Sequence, residues 1–179
     1  MSPHTNLPTL ADLNEIAFIN PEGQITDQFD GKVGIYAIFD QTKTLQCVGY
    51  SRDVSLSLRQ HLIRKPQECH WLKVQTIERP NRTILQEICD AWIAENGTTP
   101  AGNGTDAEQW NQPIDAKVRM TPEEQATYAA SDDLGRTKAL KQVARRVEAE
   151  VLAALEQRGV KMPIRFDPKS KEEGLLDLK

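Results

Sequence analysis

Two β-rich runs, residues 33–39 (VGIYAIF) and 45–50 (LQCVGY), stand on either side of a polar tetrad at 40–43 (DQTK). β-Branched and aromatic side chains favour extended backbone, and so short a polar link turns the chain back along itself. An antiparallel hairpin is predicted, and everything downstream has to pack on it.

The punctuation after the hairpin is equally local. Asp53 can cap a helix running to residue 63, with Val54, Leu58 and Leu62 on one stripe, and Pro66 blocks its continuation. A third strand is predicted over 71–77 (WLKVQTI), bounded by Pro80. Asn81 then opens a helix over 83–95, with Ile84, Leu85, Ile88, Trp92 and Ile93 at helical spacing and Gly97 past its end. Thr9 caps a predicted short helix over 9–16, and residues 97–113 read as a loop. Thr121-Pro122 starts a helix. Another spans 133–158 with Leu140, Val143, Val147, Val151, Leu152 and Leu155 on its apolar stripe, and the tail from residue 164 packs back.

The predicted fold class is therefore α+β: a small three-stranded antiparallel sheet with flanking helices in β-β-α-β-α order, followed by a helical C-terminal extension. The predicted divisions are an N-terminal arm with a short helix (1–30), the β-β-α-β-α domain (31–113) and the extension (114–179).

Composition narrows the function classes. No run approaches the roughly 18 apolar residues a spanning helix needs, so no membrane role is expected. The first residues lack a basic-then-apolar leader, which points to a cytoplasmic protein. Cys47, Cys69 and Cys89 are too few and too irregular for a disulfide framework or zinc knuckle. The net charge of −4 argues against a nucleic-acid binder. Locally the balance differs, since residues 52–82 hold seven basic side chains against three acidic ones. Arg52, Arg59, Arg64, Lys65 and Lys73 could form an anion-binding face or merely solvated surface.

Tyr36, Arg59, His61, His70 and Glu87 concentrate in the same unit, with Asn103 following in the loop. A phenol, imidazoles, a guanidinium and one carboxylate suit metal-assisted hydrolysis of a phosphodiester.

Gly34-Ile35-Tyr36, then Cys47-Val48-Gly49, then Leu58-Arg59-Gln60-His61, Cys69-His70, Glu87 and Pro100-Ala-Gly-Asn103 together resemble the GIY-YIG nuclease superfamily over about residues 31–103. The resemblance implies a divalent-metal-dependent endonuclease acting on nucleic acid, DNA above all. It makes Tyr36 the residue that helps deprotonate water and Glu87 the ligand of Mg²⁺ or Mn²⁺. His61 and His70 become polar residues of the cleft, and Asn103 a positioning residue. Two positions depart from the pattern: Cys47 stands where the second triplet should begin with Tyr, and Ser57 where a catalytic Arg is expected. Losing a positioned cation costs about 10³-fold or more, so weak, redirected or absent activity is implied. The alternatives are a catalytically inactive module for binding nucleic acid or protein, and a protein partner held by the C-terminal helix.

Overall fold

A computed structural model describes residues 8–179. It divides the chain into two compact units, Met1–Asn111 and Gln112–Lys179.

The first unit is organised by its central strand. β1 (Ile16–Ala17), β2 (Gly34–Phe39), β3 (Leu45–Ser51) and β4 (Trp71–Thr76) form one sheet in the order β1-β4-β2-β3, with every pairing antiparallel. β2 is buried at all six positions, which accounts for its unbroken apolar run: both of its faces are covered. The predicted hairpin is present. The Asp40 carboxylate accepts from the backbone N–H groups of Thr42 and Thr44 and so holds the turn.

α1 (Val54–Arg64) starts where the Asp53 side chain accepts from the N–H of Leu56, and α2 (Arg82–Asn96) where Asn81 accepts from that of Ile84. The C-terminus of α2 is closed by Gly97 at φ 86°, a left-handed position that glycine adopts without strain. Ile35, Ala37 and Phe39 pack with Val48 against Leu85, Ile88, Cys89 and Trp92 of α2. Full burial of one such side chain is worth about 1.5–3 kcal/mol. Tyr36 and Ile38 point to the opposite face, where α1 supplies His61 beside the buried Leu58 and Leu62.

The predicted three-stranded sheet is corrected in two respects. A fourth strand, β1, pairs with β4 through Ile16↔Leu72 and Ala17↔Trp71. A separate two-stranded sheet joins β5 (Ile114–Asp115) to β6 (Leu175–Leu176) in the second unit. With six α-helices among the described residues, this is a larger mixed α/β fold. The predicted helix over 9–16 is also absent: the N–H groups of Asp12 and Leu13 donate to the Thr9 and Leu10 carbonyls in a single turn, and the chain then extends into β1. The N–H groups of Leu10 and Ala11 donate to the Glu95 carboxylate on α2, 85 and 84 residues away, and tie the turn to that helix. The stretch read as a loop holds a 3₁₀ turn at Ala101–Asn103 and α3 (Ala107–Asn111), which buries Trp110.

In the second unit, α4 (Pro122–Ala130) begins with a reciprocal capping box between Thr121 and Glu124. α5 (Asp133–Gln157) buries Ala139, Val143, Ala144, Val147, Val151 and Leu155, whereas Leu152, expected on that stripe, is exposed. Arg146 bridges Glu124 of α4 and Glu150 on its own helix. α6 (Pro168–Glu172) precedes β6. Among the described residues no helix is long and apolar enough to cross a membrane.

Two glycines are required by close approach. A Cβ at Gly49 would lie 2.5 Å from the Tyr36 hydroxyl, and one at Gly102 would lie 2.6 Å from the Gln46 carbonyl. Gly49→Ala should therefore displace the phenol and cost about 1–3 kcal/mol, read as a lower urea midpoint with an unchanged m-value.

Candidate functional site

Of the residues gathered from the sequence, Tyr36, His61 and Asn103 are brought together near the outer edge of β3. There the side-chain amide of Asn103 occupies the place of a missing strand: its Oδ1 accepts from the N–H of Val48 at 2.8 Å, and its Nδ2 donates to the Val48 carbonyl at 2.7 Å. A side chain thus satisfies the unpaired backbone of an edge strand and pins the 101–103 turn to the sheet. Beside it lies a cleft of about 250 Å³, walled by Tyr36, Gly49, Tyr50, Asn103 and Asn111, with Gln86, Cys89 and Ile93 contributed by α2.

At the back of the cleft the Tyr36 hydroxyl lies 2.7 Å from Nε2 of His61, and both side chains are buried. Burial pushes the Tyr36 phenol well above its ordinary range; nearby Cys47 and Cys89 add to this, and a hydrogen bond with Ser57 offsets part of it. Burial also lowers His61 to about 4, helped by the neighbouring Arg64 charge. The Trp110 backbone counteracts a little of this, although Nδ1 makes no bond of full hydrogen-bond geometry. At neutral pH both groups are uncharged, and one proton occupies the line between them. Such a pair activates water poorly, because neither member readily takes or gives a proton near pH 7.

Ser57 fills the position where the sequence pattern wanted a guanidinium. Its hydroxyl donates to Ser51 at 2.7 Å and adjoins Tyr36, so no cation stands there. Arg59, on the same helix, is exposed. The thiol of Cys47, where a second tyrosine was expected, is buried and pushed up to about 12 by burial first and Cys89 second. Cys89 is raised to about 12 by burial, with Asp90 adding to it.

The other predicted site residues fall elsewhere. Glu87 is half-buried on α2 and one position beyond Gln86, a turn of about 100° that takes it off the cleft-lining stripe. His70 acts through its backbone, donating to the Phe39 carbonyl and accepting from the N–H of Phe18. Of the five cations assigned to a nucleic-acid face, three make contacts within the protein. Arg64 donates to the Trp110 carbonyl, Lys65 to Gln109, and Lys73 to the Leu10 carbonyl. Only Arg52 and Arg59 among the five are exposed. Trp110 and Asn111 were missed because a Gly- and Asn-rich segment carries no periodicity that would flag them, and Gln86 because an exposed polar residue on a helix looks like ordinary solvated surface. Gly49 was quoted only as part of a triplet, without its steric role.

No family model matches this chain. A curated relative, the bifunctional monothiol glutaredoxin-S16, chloroplastic, of Arabidopsis thaliana, is 31% identical over 103 residues, covering 54% of this chain and 35% of the relative. The chain therefore spans about a third of the length of the relative it matches.

These findings correct the expectation of a GIY-YIG nuclease. The match is to a protein named for thiol-redox chemistry, and no family model supports the nuclease reading. Among the described residues no group of three or more His, Cys, Asp or Glu could hold a metal ion, so Mg²⁺ or Mn²⁺ bound by Glu87 is withdrawn. Phosphodiester hydrolysis, DNA or other nucleic acid as partner, the inactive nuclease-like module and the partner held by the C-terminal helix are withdrawn with it.

The Tyr36–His61 pair has a thermodynamic signature. Between pH 6.5, the ordinary value, and about 4, the unfolded chain binds a proton at His61 that the folded chain refuses. Stability therefore rises with pH across this window, is complete above its upper end, and falls on acidification by on the order of 3 kcal/mol. Urea midpoints taken at intervals through the window should show this slope, and His61→Asn should flatten it.

Proposed function

We propose that this chain is a ligand-binding unit belonging to a thiol-redox protein system, and that it does not itself exchange thiols. The observation that carries this reading is the state of its sulfur. Cys47, Cys69 and Cys89 are all free and buried, and the thiols of Cys47 and Cys89 are held up to about 12. Thiol–disulfide exchange runs through the thiolate. At such values fewer than about one thiol in ten thousand is ionised at pH 7.

The relative supports the context rather than the chemistry. Its name is that of a bifunctional protein, and this chain aligns with only 35% of it, so the aligned portion need not contain the redox thiol. The cleft supports binding: it is lined by Tyr36, the Gln86 and Asn111 amides and the Tyr50 ring in a concave site of about 250 Å³. That set fits a small, neutral, polar ligand. Three free thiols support a reducing compartment for this chain.

A second reading rests on Cys89, which lines the cleft. Its thiol could act as the protein's own redox group if cleft opening exposed it to solvent. Glutathione-dependent reduction of hydroxyethyl disulfide distinguishes the two readings. The purified chain should give no rate above the uncatalysed background, and the Cys89→Ser variant should be indistinguishable from it. A catalysed rate lost in Cys89→Ser would overturn the binding reading and assign thiol exchange to this chain.

A further inference from the structure

A second cavity of about 670 Å³ opens in the first unit and shares only Tyr50 with the Tyr36 cleft. Its size falls in the range of about 300–1,000 Å³ typical of small-molecule sites. Val33 and Tyr50 are half-buried and Leu85 is buried, giving the cavity an apolar floor. Two guanidinium groups join that lining from separate parts of the chain: Arg52 from the link between β3 and α1, and Arg82 from the first residue of α2.

Both arginines are exposed, and neither makes a hydrogen bond or ion pair with another described side chain. They contrast with Arg64, Lys65 and Lys73, each of which bonds within the fold. No residue lining the cavity carries a carboxylate. The nearest acid in sequence, Asp53, accepts from the N–H groups of Gly31 and Leu56. The cavity therefore has two cations, no anion and an apolar wall. A guanidinium presents a planar fork of donors that matches a carboxylate, and an aromatic ring such as Tyr50 offers a flat stacking face.

We propose that this cavity binds a small organic carboxylate, with its apolar body against Val33, Tyr50 and Leu85 and its charged group at Arg52 and Arg82. The assignment is independent of the thiol reading and shares only Tyr50 with the Tyr36 cleft. A concave site with an apolar floor suits a compact molecule, which must supply an apolar body as well as charge.

The full chain titrated with 2-naphthoate, followed by amide chemical shifts, tests this. Saturable shifts are expected at residues 33, 50–52 and 82–85. The neutral isostere 2-naphthalenemethanol should bind at least about tenfold more weakly, and the double variant Arg52→Gln/Arg82→Gln should weaken 2-naphthoate by at least about tenfold. Both side chains are exposed, so the variant should keep the wild-type urea midpoint, and this is checked alongside. Inorganic phosphate alone should give no saturable shift at these amides. Equal affinity for the neutral isostere, unchanged affinity in the folded double variant, phosphate binding as tight as 2-naphthoate, or shifts confined to other residues would each overturn the proposal.

Discussion

The hydrogen bond between Tyr36 and His61 joins the central strand to the first helix in a space that water does not reach. Much of the first unit's chemistry follows from keeping it dry. Gly49 has to be bare because the phenol lies across it. Ser57, Ser51 and the Trp110 backbone complete the polar surroundings, with the buried Arg64 guanidinium as the nearby charge. A guanidinium at position 57 would face a buried, neutral phenol and imidazole with no carboxylate to pair it. Burying such a charge costs several kcal/mol, so the serine and the neutral pair form a consistent set.

That consistency explains which parts of the fold were legible in the sequence. The hairpin, both helix caps and Gly97 are decided by residues close together in the chain, and spacing alone located them to within a residue or two. The features that went unread are decided by distant partners. β1 exists because β4 offers a free edge, and the turn before it is tied to α2 through Glu95, which takes the N–H groups of Leu10 and Ala11. Asn103 was picked out for a reaction, yet its amide serves as a substitute peptide for Val48, 55 residues away. No local pattern encodes such a partnership.

Charge was misread for a related reason. A block of seven basic residues describes composition, whereas a binding face requires cations that the fold leaves unpaired. Arg64, Lys65 and Lys73 hold the chain to itself, through Trp110, Gln109 and Leu10 respectively. Of the four left, Arg59 and Arg79 are exposed away from the cavity, whereas Arg52 and Arg82 line it, brought together by a strand end and a helix start rather than by adjacency in the block. What looked like a diffuse anionic-polymer surface contracts to one concave place with two donors.

Sulfur follows the same physics as the phenol. The burial that raises the Tyr36 pKa also raises those of Cys47 and Cys89, because each would otherwise carry an anion in a low-dielectric interior. One environment therefore disables two kinds of nucleophile at once, an activated water and a thiolate. A site meant for either chemistry would need a cation, a metal or a helix terminus to stabilise the developing negative charge. The cleft instead presents hydroxyl and amide groups with fixed directions and no net charge, beside a thiol that stays protonated. Fixed neutral donors and acceptors in a small concavity discriminate between ligands by which hydrogen bonds they leave unmade.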